Sequence, residues 1–564
     1  MKRLLTLAAV AAALWPVAAP AAMDIELTKH NLSMSGPGQI KATSLDRICI
    51  FCHTPHRASS TVLLWNRADP TTTYIPYSSS TAPQAVGQPT GSSRLCLSCH
   101  DGTIALGALG SMATEVQMTQ RFLDTGPAAL GTDLSDDHPI SFVYDTALSN
   151  ANPEYKDPSL LLEPITLDAN GELQCSTCHD PHDDTFGDFL RMDNRGSALC
   201  LQCHQPTGWS LTPHSQATNT WNGQGADPWP HTSWTTVADN GCENCHRPHG
   251  AGGHARLLNA FTEEDNCFPC HDGSVAPQDL TAEFQKVSHH PVELAAGVHD
   301  PAESPSTMGR HVECADCHDP HQAKPGSATP PAVSPPIAGV SGVDSSGAVV
   351  SPAQNQYEIC FKCHADTAQG LAPIPRQIQT LNKRLQFDPA NPSFHPVEAP
   401  GVNPNVPSLI LPLTTASVIY CTDCHASDDG PGAGGTGPAG PHGSVYPYLL
   451  EREYVTADNT AESPTVYALC YKCHDRNSIL ADQSFSEHSK HLSNKVNAPC
   501  SACHDPHGIS NGQGTTTNNS HLINFDTSIV QPYNGVLKFE DLGTFTGRCT
   551  LVCHGKSHKP KTYP

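Results

Sequence analysis

The sequence predicts a fold that is mostly coil with short helices and little sheet, and three observations lead there. Hydrophobic residues make up 38% of the 564-residue chain and aromatic residues 6%, so a conventional side-chain core is thin for this length. Fifty Pro and 42 Gly recur throughout and interrupt long amphipathic periodicity. Twenty-four Cys are too many for a typical cytosolic enzyme and point to disulfides, metal ligands or cofactor anchors. Two short stretches read as helix, residues 280–286 and residues 376–386, the second with Ile378, Leu381 and Leu385 at helical spacing. The formal charge of -24, from 31 Lys+Arg against 55 Asp+Glu, argues against nucleic acid and anionic membrane as partners.

The N-terminus reads as a signal peptide over residues 1–21. Met1-Lys2-Arg3 is basic, residues 4–14 are apolar, and Ala19-Pro20-Ala21 offers a small-residue cleavage site. Export is expected. No lipid anchor is expected, because the first Cys is Cys49. Residues 408–420 form the most apolar later stretch, but they are too few and too rich in Pro and Thr to span a bilayer, so no transmembrane segment is expected.

All the Cys fall into twelve pairs, each followed by His. Eleven read C-x-x-C-H: Cys49, Cys52 and His53; Cys96, Cys99 and His100; Cys175, Cys178 and His179; Cys200, Cys203 and His204; Cys242, Cys245 and His246; Cys267, Cys270 and His271; Cys314, Cys317 and His318; Cys360, Cys363 and His364; Cys421, Cys424 and His425; Cys470, Cys473 and His474; Cys500, Cys503 and His504. In the twelfth, Cys549, Cys553 and His554, the thiols are one residue further apart. This is the attachment signature of c-type haem, in which two thiols bond the haem vinyls and the adjacent His reaches the iron from the same side. Zinc ribbons and disulfides also use closely spaced Cys, but neither requires the His. The twenty-four Cys are therefore expected to hold twelve haem c groups, with the twelve adjacent His as proximal iron ligands.

The motifs alternate between two types. The first, starting at Cys49, Cys175, Cys242, Cys314, Cys421 and Cys500, tends to continue as C-H-x-P-H; the second, starting at Cys96, Cys200, Cys267, Cys360, Cys470 and Cys549, does not. Six dihaem modules follow: residues 22–125, 126–215, 216–275, 276–370, 371–480 and 481–564. A Pro- and Gly-rich insertion lies at 323–350 in the fourth and a Gly-rich one at 428–443 in the fifth, which displaces that module's Pro-His to Pro441-His442.

A His three residues beyond a proximal His cannot reach the opposite face of the same haem. His56, His182, His249, His321 and His507 are thus expected to ligate a neighbouring haem, and so is His442 of the displaced Pro-His in the fifth module. For His182 the expected neighbour is the haem on Cys200 and Cys203. One further His precedes each first-type motif: His30, His138, His231, His290, His395 and His491, taken over His214, His289 and His488 at the three places where two are available. These twelve match the irons needing a sixth ligand, with His558 as an alternative for the last haem. The mature chain has few Met and none recurs in the modules, so bis-His ligation and low, spread-out potentials are expected. With roughly 45 residues per haem, close to the size below which chains need help to form a core, stacked haems must form much of the core of an elongated chain.

These repeated motifs resemble those of the multihaem c-type cytochromes of bacteria that respire extracellular metals, and the resemblance spans nearly all of the mature chain. It implies a dodecahaem electron-transfer protein, exported to the periplasm, the outer membrane or the outside of the cell. Its implied partners are other redox proteins such as cytochromes, an outer-membrane porin complex, or copies of itself in a filament, and a metal oxide is an implied terminal acceptor. A conduit of this kind is not an enzyme and has no catalytic residues. The alternative is a multihaem reductase of a small oxyanion or metal ion, which requires one open haem site. No motif has Lys in place of its ligating His, and the other His outnumber the irons, which favours the conduit.

Overall fold

The computed structural model describes residues 24–56, 58, 64–294, 297–309, 311–370, 372–493 and 495–563. The signal peptide expected at residues 1–21 lies outside them. Helix makes up 23% of the chain and sheet 12%, below the roughly 30% and 20% of an ordinary domain, so the mostly-coil expectation agrees with the structure. Among the described residues no helix is long and apolar enough to cross a membrane.

The chain divides into two units. The first comprises Met1–Ser78, Ala82–Gln205 and Pro248–Gly253. Its apolar side chains gather in small separate clusters rather than one core: Ala42, Phe51, Leu109 and Val116; Phe142, Tyr144, Leu148 and Leu173; Tyr74, Leu97 and Leu134. Among its described residues a two-residue ladder joins Phe142–Val143 to Glu172–Leu173. The fully buried Arg67 donates to the carbonyls of Leu106 at 2.7 Å and of Ser98 and Ala105 at 3.0 Å each. It thereby ties the helix Gly91–His100 to the loop that follows, satisfying carbonyls that no secondary structure pairs.

The second unit comprises Ser79–Thr81, Pro206–Arg247 and His254–Pro564. It too is built of small clusters, the largest around Tyr357, Phe361 and Phe387 and around Phe525, Val530 and Leu551. Two-residue ladders join Ser288–His289 to Gly443–Ser444 and Ser393–Phe394 to Gly508–Ile509. Of the expected helices, 280–286 is found as Leu280–Phe284, capped by Asp279. The stretch 376–386 is helical only over Lys383–Phe387. Arg376 instead bridges Asp526 in extended form, and its buried guanidinium donates to the carbonyls of Ser501 and Asn524, a gain a helix would forgo. The insertion at 323–350 is folded, with a hairpin of Gly342–Val343 and Val349–Val350. At the C-terminus Lys538–Gly543, Thr546–Cys553 and Lys556–Tyr563 form an antiparallel sheet, joined by Val530–Gln531. Nothing in the sequence patterning anticipated this sheet.

Candidate haem-binding centres

The first eleven motifs are each wound into a tight turn. In eight, the proximal His amide donates to the carbonyl of the first Cys at 2.8–3.0 Å, as in His53 to Cys49 and His504 to Cys500. The other three lie in the helices Gly91–His100, Glu263–His271 and Gln356–His364. One turn of helix brings Cys side chains three apart onto one face, which suits two-point attachment of a flat group.

The imidazoles then meet in pairs. In the first unit His53 faces His182 with ring centres 6.2 Å apart, His100 faces His30 at 6.1 Å, His179 faces His249 at 6.1 Å and His204 faces His138 at 6.3 Å. In the second unit His246 faces His321 at 6.3 Å, His271 His214 at 6.2 Å, His318 His442 at 6.0 Å and His364 His290 at 6.3 Å. His425 faces His507 at 6.1 Å, His474 His395 at 6.5 Å and His504 His488 at 6.4 Å. His491 faces His558, also at 6.4 Å.

These separations test whether the residues fit haem iron. A metal–imidazole bond is about 2.0–2.1 Å and the ligating nitrogen lies about 1.1 Å from the ring centre, so two imidazoles on one metal place their centres about 6.2–6.4 Å apart. The pairs leave that gap, too wide for ring contact or a direct hydrogen bond. The remaining nitrogens are arranged accordingly. Nδ1 donates to a backbone carbonyl in His30, His100, His138, His179, His214, His246, His290, His318, His425 and His504, at 2.8–3.0 Å. This fixes the tautomer that leaves Nε2 for a metal. His249 uses the Asp137 carboxylate instead, at 3.0 Å. Burial pushes the imidazoles of His138, His246, His271, His474, His488, His504 and His558 down to about 4, keeping them in the neutral form that ligates. The residues fit the group.

A strained turn recurs behind the proximal His. The carbonyls that hold His179, His246, His425 and His504 belong to Asp188, Arg256, Tyr448 and His521. All four have φ between 47° and 65°, and each is followed by a second left-handed residue: Phe189, Leu257, Leu449 and Leu522. Non-Gly residues rarely adopt this conformation, and its fourfold recurrence at one site ties the strain to holding the imidazole. The sequence signal, two apolar residues after each first-type motif as in Leu257-Leu258, was missed.

The Pro-His dipeptides do two things at once. His182 faces His53 while the carbonyl of Pro181 accepts from His30, which faces His100. The same holds for Pro320-His321 with His214, for Pro441-His442 with His290, and for Pro506-His507 with His395. Pro248-His249 differs only in that its carbonyl accepts from the backbone N–H of His138, at 2.8 Å. In the second unit, the ladders that end beside His290 and His442, and beside His395 and His507, hold two such elements together. Each dipeptide therefore positions the imidazoles opposite both motifs of the preceding module. Thiols also meet across module boundaries: Cys96 with Cys175, Cys267 with Cys314, Cys360 with Cys421 and Cys470 with Cys500.

Several expectations are corrected. The imidazole opposite His182 belongs to the Cys49 motif, not to the motif at Cys200, because the dipeptide folds back onto the module before it. His231 faces no motif; its Nε2 donates to the Glu243 carbonyl at 3.0 Å, and His214 stands opposite His271. Pro55-His56 has no earlier module, and the exposed His56 meets no second imidazole among the described residues. His554 lies at φ 48° in the two-residue turn that it forms with Gly555, with Nε2 3.0 Å from Asp458. The twelfth motif lies on the strand Thr546–Cys553, where no helical turn presents the adjacent His, and the ring opposite His491 is His558.

A family described as the doubled CXXCH motif matches residues 169–208, 235–276 and 412–478, each stretch holding one first-type and one second-type motif. No curated protein matches the chain. The doubled motifs indicate covalently bound haem c and support a multihaem c-type cytochrome.

Proposed function

We propose that the chain is an electron-transfer protein carrying twelve covalently bound haem c groups, each iron held between two imidazoles. The observation that carries this reading is the set of twelve imidazole pairs at 6.0–6.5 Å. Haem supplies reversible one-electron exchange at its iron. The chain supplies the order, because consecutive modules share ligating dipeptides and thiols meet at four of the module boundaries. Each imidazole pair would hold its iron with two His and leave no pair with a single His to admit a substrate, which supports a conduit over a reductase. Electrons would cross the periplasm or outer membrane, or pass outside the cell, to a redox partner or to a terminal acceptor such as a metal oxide. The charge of -24 suits steering toward a basic partner. Among the described residues the exposed His56 meets no second imidazole, which suits contact with a redox partner or another copy of the chain.

Intact mass tests the reading: the processed polypeptide is expected to carry twelve haems, all low-spin when oxidised. Two families of low-spin signal are expected, because paired imidazole planes that are parallel split the iron d orbitals and perpendicular planes equalise them. His53/His182, His246/His321, His318/His442 and His425/His507 lie within 11–16° of parallel. His30/His100, His138/His204 and His214/His271 are at 76–87°. Free thiols, or a high-spin iron that turns over nitrite, would overturn it. For the last haem, His558→Ala is expected to convert one iron to high spin with twelve haems still attached; twelve irons that all stay low-spin would restore His554 as ligand.

A further inference from the structure

We propose that His299, His311, Glu313 and Asp316, with Glu303 beside them, bind one first-row divalent metal ion distinct from the haems. Their ligating atoms lie within 4.8 Å of one another, excluding Glu303. His299 Nδ1 is 3.2 Å from Glu303 Oε1, 3.5 Å from Asp316 Oδ1 and 4.0 Å from Glu313 Oε2. His311 Nε2 is 2.9 Å from Glu303 Oε1, 3.9 Å from Asp316 Oδ2 and 4.0 Å from Glu313 Oε2. Donors bonded to one ion at about 2.0–2.2 Å stand roughly 3 to 4 Å apart, so an ion at the centre meets them with small adjustments.

Two further observations point to a cation. The Glu313 side chain is 7% exposed, and its Oε2, the atom aimed at both imidazoles, accepts no hydrogen bond, nor does His299 Nδ1 make one. An unpaired buried carboxylate oxygen is costly. The carboxylates of Glu303, Glu313 and Asp316 also converge on the two imidazoles, with the Lys362 ammonium 3.4 Å from Asp316 Oδ1. Glu263 holds the frame around the cluster by accepting from the backbone N–H groups of His299 and Ala315.

Two imidazoles among the donors select Zn²⁺, Fe²⁺ or Ni²⁺ over Ca²⁺ and Mg²⁺, which prefer oxygen alone. Asp316 lies between Cys314 and Cys317, so the ion would fasten the 299–313 loop to a haem motif and place positive charge beside His318.

The test uses the haem-loaded protein, washed with a chelator and titrated with ZnCl₂. One zinc per twelve irons is expected, and Glu313→Gln and His311→Gln should each abolish it without altering the haem spectrum. Zinc-edge X-ray absorption of the unmodified protein is expected to show two imidazoles and oxygen ligands. No zinc above background, equal zinc in both variants, or a zinc site with sulfur ligands or without imidazole would each overturn the proposal.

Discussion

Chain synthesised without haem attachment is expected not to fold. The described apolar clusters hold three to six buried side chains each, and segments of this size seldom form a stable core unaided. The paired imidazoles face one another with ring centres 6.0–6.5 Å apart, too far for ring contact. Without the group that spans them, these buried rings, and the left-handed turns at Asp188, Arg256, Tyr448 and His521, become net costs with nothing to offset them. The haem-free polypeptide should therefore give a coil-like circular dichroism spectrum, no cooperative melt and rapid proteolysis throughout. A native-like spectrum with a cooperative melt would show that side-chain packing alone specifies the fold.

The second large effect is expected from His182→Ala. Its imidazole faces His53, so the iron attached through Cys49 and Cys52 should lose one axial ligand, become five-coordinate and bind carbon monoxide when reduced. Its potential should rise as one imidazole is lost. The haem on Cys175 and Cys178 should be unchanged, because His179 faces His249. The His30–His100 pair should also persist, because the Pro181 carbonyl that holds His30 remains. Twelve haems should still be attached, since attachment needs only the Cys pair and the adjacent His. No change in spin state, or a change at the iron of His179, would contradict this assignment.

Much of the site was legible in the sequence because covalent attachment is written locally. Cys and His at fixed offsets need no knowledge of the fold, and His30, His138 and His395 stood out as the upstream His of their modules, whereas His290 had to be chosen over the adjacent His289. The destination of the Pro-His dipeptides was not legible. Local geometry excludes the haem of the same peptide, but which other motif His182 meets depends on how module two folds back on module one. His231 was preferred to His214 through proximity in sequence, whereas the useful sign was Thr212-Pro213 before His214, a cap and first-turn Pro for the short helix Pro213–Gln216. His30 and His491 share a placement, for both imidazoles stand opposite a His associated with a second-type motif. The extra residue between Cys549 and Cys553 was visible, but its consequence was not. It goes with an extended strand instead of a helical turn, and the ring opposite His491 is carried on the next strand, where His558 pairs with Leu551.

Iron positions test the central claim most directly, located by anomalous diffraction at the iron edge from crystals of the haem-loaded protein. The predicted result is twelve iron peaks, each midway between one of the facing imidazole pairs, with His53 and His182 flanking one and His491 and His558 flanking the last. An iron flanked by His179 and a ligand other than His249, or Pro-His imidazoles that flank no iron, would contradict the interlocked arrangement.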